Sequence, residues 1–293
     1  IGAGVTQLNL AVDVIIASLL PPGTVSVLYY ADRVQQLPLG VIGTAVGTAL
    51  LPALSRQVRG GEAAQALGTL NRAVEYALFL TLPAALALIV CAYPVIQVLF
   101  GRGAFGATSV LFSSQSLAAY AIGLPAFVTV KVLMPAFFAR GDTSMPVKVG
   151  IGCVLLNLGL NLLFMTPLAH IGPALATSLA AIANVGALGV ILLRRGHLRM
   201  DALLYRRVSA MAGSAVIMAG VLWVLREWLF RAPLHGLARY AALGALIVAG
   251  MLVYGIAAQL TGAYDLRDVA RMMARRRSRS QGPAAAETTT NEV

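Results

Sequence analysis

Charge is scarce in this chain. Only 11% of its 293 residues are charged, and just 11 are acidic. A water-soluble domain carries about 25% charged residues, so a soluble globular protein is excluded. Histidine (3 residues) and cysteine (2 residues) are scarce too. His170, His197 and His235 fall in separate connections, so no metal motif or nucleophilic triad can be drawn from them. Cys91 and Cys153 lie in apolar runs without metal-ligand spacing and read as small buried side chains. "GRGAFG" (Gly101, Gly103, Gly106) fits the GxGxxG spacing, but it lacks a βαβ context, so nucleotide binding is rejected.

The chain is instead rich in apolar residues: 59% are hydrophobic, and the mean hydropathy is +0.82. Stretches such as "ALFLTLPAALALIVCAY" are continuously apolar. A membrane β-barrel would alternate polar and apolar residues. The expected fold is therefore all-α, a polytopic membrane helix bundle. Eight spans are predicted, at roughly 2–20, 27–55, 76–100, 109–139, 145–166, 171–193, 208–230 and 237–260. The second and fourth exceed the minimum length and either tilt or project from the bilayer.

The net charge of +11 raises nucleic acid as a partner. Its distribution excludes that reading, because the basic residues collect at segment ends and in the C-terminal "RMMARRRSRS". Counted with their flanking turns, the connections after the second, fourth, sixth and eighth spans each hold more Lys and Arg than the connection before them. The positive-inside rule places the richer set, and both ends of the chain, on the cytoplasmic side. "EAAQALGTLNRAVEYA" reads as an amphipathic cytoplasmic helix running into the third span. In "RGDTSMP", Asp142, Thr143 and Ser144 are caps for the fifth span. Gly40, Gly43 and Gly47 read as helix packing. The residues from about Ser278 onward read as a disordered tail. The chain opens at Ile1, without Met and already apolar, so further residues are expected before it.

A charge in mid-bilayer costs about 2.5 kcal/mol or more, so each one needs a reason. The charged set is Asp13, Asp32, Arg33 and Lys131, with Asn157, Asn161 and Thr177 the outstanding neutral groups. Counting about 1.5 Å per residue, Asp13, Asn161 and Thr177 all lie roughly 8–10 Å below the outer boundary. Asn157 and Asn161 are one helical turn apart and share a face. Two readings stand for this cluster: a small hard cation held through oxygen, or hydrogen bonds that join helices. Arg33 also has two: a bidentate contact to phosphate or carboxylate, or a local pair with Asp32 or an interfacial anchor beside Tyr29 and Tyr30. Adjacent helical residues point about 100° apart, which disfavours the pair. Lys131 either snorkels to the inner interface or serves a cavity.

"VTQLNLAVDVIIASLLPPGTVSVLYYADRVQQLPLGVIGTAVGTALLPALSR", "LFGRGAF" and "VKVLMPAFFARGDTSMPVKV" resemble the MurJ/MviN family, lipid II flippases of the MOP transporter superfamily. The resemblance runs from Gly2 to about Leu193. It implies that the eight spans are the seventh to fourteenth of a fourteen-helix transporter, in a C-terminal portion. Residues 1–200 would form the C-terminal six-helix lobe, 201–265 two additional helices, and 266–293 a basic cytoplasmic tail. The implied function is translocation of an undecaprenyl-pyrophosphate-linked disaccharide-pentapeptide across the bacterial cytoplasmic membrane by alternating access, without covalent chemistry. Arg33, with Asp32 and Lys131, would contact this substrate. Sodium is the implied ion, at Asp13, Asn157, Asn161, Thr177 and the Pro173 carbonyl. Asn161 departs from the pattern, since some relatives carry an acid there. Membrane lipids and cell-wall synthesis proteins are the other expected partners. The rivals are another cation-coupled exporter of the superfamily, for drugs or polysaccharide lipids, and a non-transporting membrane scaffold.

Overall fold

A computed structural model describes residues 15–199, 202–231 and 236–262. The described residues are helical, without a strand. In order, the helices are α1 (Thr24–Arg59), α2 (Ala63–Val90), α3 (Ala92–Phe100), α4 (Ala107–Phe138), α5 (Ser144–Leu168), α6 (Ile171–Arg194), α7 (Ala202–Leu229) and α8 (Leu237–Leu260). Six of these, α2 and α4 to α8, are long and apolar enough to cross a membrane by length and composition. The second expected span is α1, whose 36 residues extend about 54 Å. The first expected span lies mostly outside the described residues, as do Asp13 and the basic tail.

Helix α4 is the central post. It packs against α1, α2 and α6, and more than half of its apolar window is buried. Near the Arg-rich end, Leu54, Leu70, Val132, Phe137, Leu188 and Leu192 form one core. Near the other end, Leu28, Val34, Ile96, Leu117 and Ala174 form a second. A third core joins the α7–α8 hairpin to α2, through Met211, Met218, Leu222, Leu246 and Tyr254 packed on Phe79, Leu82 and Leu86.

The amphipathic segment and the third span form one continuous helix, α2, as the sequence predicts. The expected run to residue 100 is broken at Cys91, however, and resumes as α3. Pro94 explains the break. It has no N–H to offer the Val90 carbonyl four residues earlier, and its ring crowds that carbonyl. The Val90 oxygen instead accepts a hydrogen bond of 2.8 Å from Arg226 Nη1 on α7. Pro83 repeats the pattern inside α2. It cannot donate to the Phe79 carbonyl, and Tyr254 of α8 donates its hydroxyl there at 2.8 Å. Both proline-released carbonyls of this segment are thus capped from the terminal hairpin. At the Arg-rich end the buried Glu75 accepts from Arg207 at 2.9 Å and Arg72 at 3.0 Å. Asn71 Nδ2 donates to the Arg199 carbonyl at 2.8 Å.

The turn in "FFARGDT" is built by Gly141, whose φ of +75° suits glycine. Of the three expected caps, Asp142 does the capping. Its Oδ1 accepts from the Met145 amide and the Ser144 hydroxyl, both at 3.1 Å. Thr143, although in the N-cap position, makes no side-chain cap bond. Asp142 Oδ2 takes Arg195 Nη1 at 2.6 Å, which ties the α4–α5 turn to the end of α6. Cys91 is buried as expected. Cys153 is only half-buried, because α5 turns that face away from the bundle.

Candidate functional site

The first site is set by the opening turns of α1. Ala31, Val34 and Gln35 are buried against the bundle, and Gln35 Nε2 donates to the Tyr120 carbonyl of α4 at 3.2 Å. Tyr30 packs on Phe100 and Phe105, which gives the "LFGRGAF" turn an aromatic packing role. With those residues turned inward, helical geometry turns Tyr29, Arg33, Gln36, Leu37 and Val41 outward, and all five are exposed. The Arg33 guanidinium lies 4.8 Å from the Tyr29 ring centroid, and its Nη1 donates to Gln36 Oε1 at 3.3 Å.

Asp32 does not pair directly with Arg33. Its Oδ2 accepts from Gln36 Nε2, so Gln36 stands between acid and base. The relay orients Arg33 without neutralising it. Among the described residues Arg33 makes one weak hydrogen bond, which leaves most of its five guanidinium N–H donors available for an oxyanion.

Lys131 is not part of that constellation. Its terminal atoms lie against Gly43 on α1. Gly43 is ten residues beyond Arg33, about 15 Å further along the axis. The two side chains therefore meet α1 at different levels.

The second site lies between α5 and α6. The buried residues of α5 are Pro146, Asn157 and Asn161, while Ile151, Leu155, Leu156, Leu162 and Leu163 are exposed. A helix with its amides inward and its leucines outward is fitted to lipid, where small and polar side chains join helices. Asn157 Nδ2 donates to Thr177 Oγ1 at 3.1 Å, and Asn161 Nδ2 donates to Asn157 Oδ1 and to its carbonyl, each at 3.1 Å. Pro173 is buried one turn before Thr177. The structure therefore brings Asn157, Asn161 and Thr177 together, with Pro173 one turn away. Asp13 lies outside the described residues. The amide, hydroxyl and carbonyl oxygens of this set suit a small hard cation, whose binding would replace the present mutual hydrogen bonds.

Two features escaped the sequence reading. The buried carboxylate of Glu75 was hidden in an amphipathic pattern, and Arg207, which faces it, was the available signal. Gly43 looked like ordinary packing, and nothing in its spacing pointed to Lys131.

Residues 1–256 match the family model described as "Lipid II flippase MurJ". A probable lipid II flippase MurJ from Rhizobium tropici is 42% identical over 283 residues, covering 94% of this chain and 52% of the relative. One from Rhizobium meliloti (strain 1021) is 42% identical over 291 residues, covering 98% and 54%. The chain thus spans about half the length of the curated relatives it matches. Among solved structures, a lipid II flippase MurJ in an inward closed conformation superposes with TM-score 0.75 at 27% identity, over 91% of this chain and 52% of that one. A MATE protein in its straight conformation shares the fold alone, with TM-score 0.55 at 17% identity, over 89% and 62%. On the family-model match and the 42% identities, this multi-pass helical membrane protein belongs to the lipid II flippase MurJ family.

Proposed function

We propose that this chain carries part of the substrate path of a lipid II flippase. The transporter moves the undecaprenyl-pyrophosphate-linked disaccharide-pentapeptide across the bacterial cytoplasmic membrane by alternating between two states. No bond of the substrate is made or broken. The observation that carries the reading is Arg33. It is an exposed cation on a bundle helix, propped by Tyr29 and Gln36, with donors free to take the pyrophosphate. Asp32 acts through Gln36 to hold it in place. A scaffold protein would gain nothing from maintaining such a group within an apolar span.

In this reading residues 1–200 are the C-terminal lobe, 201–265 a two-helix addition, and 266–293 a cytoplasmic tail. Asp13, Asn157, Asn161, Thr177 and the Pro173 carbonyl would hold sodium, whose unequal affinity for the two states supplies coupling. Membrane lipids surround the bundle. Cell-wall synthesis proteins are the further partners this reading expects, with both ends of the chain on the cytoplasmic side by the positive-inside rule.

Complementation tests the function, using the full-length protein in cells depleted of their lipid II flippase. Wild type should restore growth, and Arg33→Ala should fail at equal membrane abundance. Failure of normally inserted wild type refutes the flippase reading. Full rescue by Arg33→Ala removes the pyrophosphate role.

A further inference from the structure

Lys131 lies in α4, seven residues before its end, within an apolar span. Among the described residues no ion pair or hydrogen bond involves it. An unpaired ammonium at that position needs an anion or a polar path. Its side chain runs across Gly43 of α1. A Cβ at Gly43 would lie 2.8 Å from Lys131 Cδ, 3.2 Å from Nζ and 3.5 Å from Cε. The last three side-chain atoms of Lys131 therefore occupy the space that any larger residue at position 43 would fill. At about 100° per residue, Gly43 is roughly 80° around α1 from Arg33, with exposed Gln36 between them in angle. The ammonium thus reaches the edge of the helix face that presents Arg33.

We propose that Gly43 is a positioning residue. Its missing side chain forms a notch that seats Lys131, and the seated ammonium is a second station for a substrate oxyanion, phosphate or carboxylate. The station lies about 15 Å beyond Arg33 along the same helix. A substrate anion reaches the two stations in succession, or two separated anionic groups occupy them together. The proposal rests on the transport reading for its substrate, but the binding it describes can be measured without transport.

The test uses purified full-length protein and its thermal midpoint. It is titrated with inorganic pyrophosphate and, separately, with succinate. A pyrophosphate response that survives Arg33→Ala and is lost in Lys131→Ala identifies a phosphoryl station at Lys131, and a succinate response with the same pattern identifies a carboxylate station. Lys131→Ala and Gly43→Ala should each weaken the response to one probe at least tenfold. The double variant should be no weaker than either single one, because both changes remove the same seated ammonium. If Gly43→Ala does not fold, Lys131→Ala added to it should restore folding without restoring the anion response. Wild-type titrations for Gly43→Ala, additive losses in the double variant, or a double variant that also fails to fold would each overturn the proposal. Failure of wild type to complement growth, with these titrations intact, would sink the flippase reading and leave the notch standing.

Discussion

At the scale of single residues, helical spacing already grouped the polar atoms that matter. Asn157 and Asn161 had to share a face, and depth along their spans put Thr177 beside them; the three meet in the structure. Sequence could not show how they satisfy one another, because the direction of an amide is fixed by its neighbours and not by its spacing. Arg33 was legible as a costly group, whereas the role of Gln36 as the link to Asp32 was not. A residue at i+3 or i+4 has several rotamers, and only packing selects among them. The cation proposal yields a graded prediction. Sodium should raise the thermal midpoint of the wild-type protein, and the rise should vanish in Asp13→Ala. Asn161→Asp, which supplies a second carboxylate, should enlarge it. Equal sodium responses in all three proteins would reject the site.

At the scale of the helix, the approximate ends of the third to eighth spans were legible, but the break in the third was not. Pro94 sat in plain view, yet proline is tolerated in membrane helices when another group takes over the released carbonyl. Whether such a donor exists depends on which helix lies alongside, a tertiary fact. Here the donors are Tyr254 for Phe79 and Arg226 for Val90. This arrangement gives a double-mutant cycle with a distinctive sign. Tyr254→Phe should destabilise the protein by about 0.5–2 kcal/mol, the range of one buried hydrogen bond. In a Pro83→Ala background, where the helix supplies its own N–H to Phe79, the same change should cost less than half as much. Thermal or denaturant unfolding of the four proteins measures the coupling. Equal losses in both backgrounds would show that the hydroxyl is not a surrogate for the missing amide.

At the scale of the whole molecule, histidines in connections at both ends of the bundle make its stability respond to pH. Burial lowers the pKa of His170, which bonds Gln115 through Nε2 at 2.8 Å and stacks on Phe112. His197 is lowered by burial and by the nearby Arg140 and Arg195. Their folded values lie below the ordinary 6.5, so the unfolded chain takes up protons first as pH falls. Stability should therefore decline below about pH 6.5. His170→Gln should make the thermal midpoint less sensitive between pH 7 and 5. An unchanged slope would assign the effect elsewhere. Arg195 holds Asp142 down at about 2, so their bridge stays intact through that window and is lost only in stronger acid. The hairpin caps bear on the history of such a chain as well as its stability. A descendant that shed α7 and α8 would lose the donors that Tyr254 and Arg226 supply to the Phe79 and Val90 carbonyls, which Pro83 and Pro94 cannot replace. The break between α2 and α3 thus keeps these two donors only while the terminal pair of helices is kept.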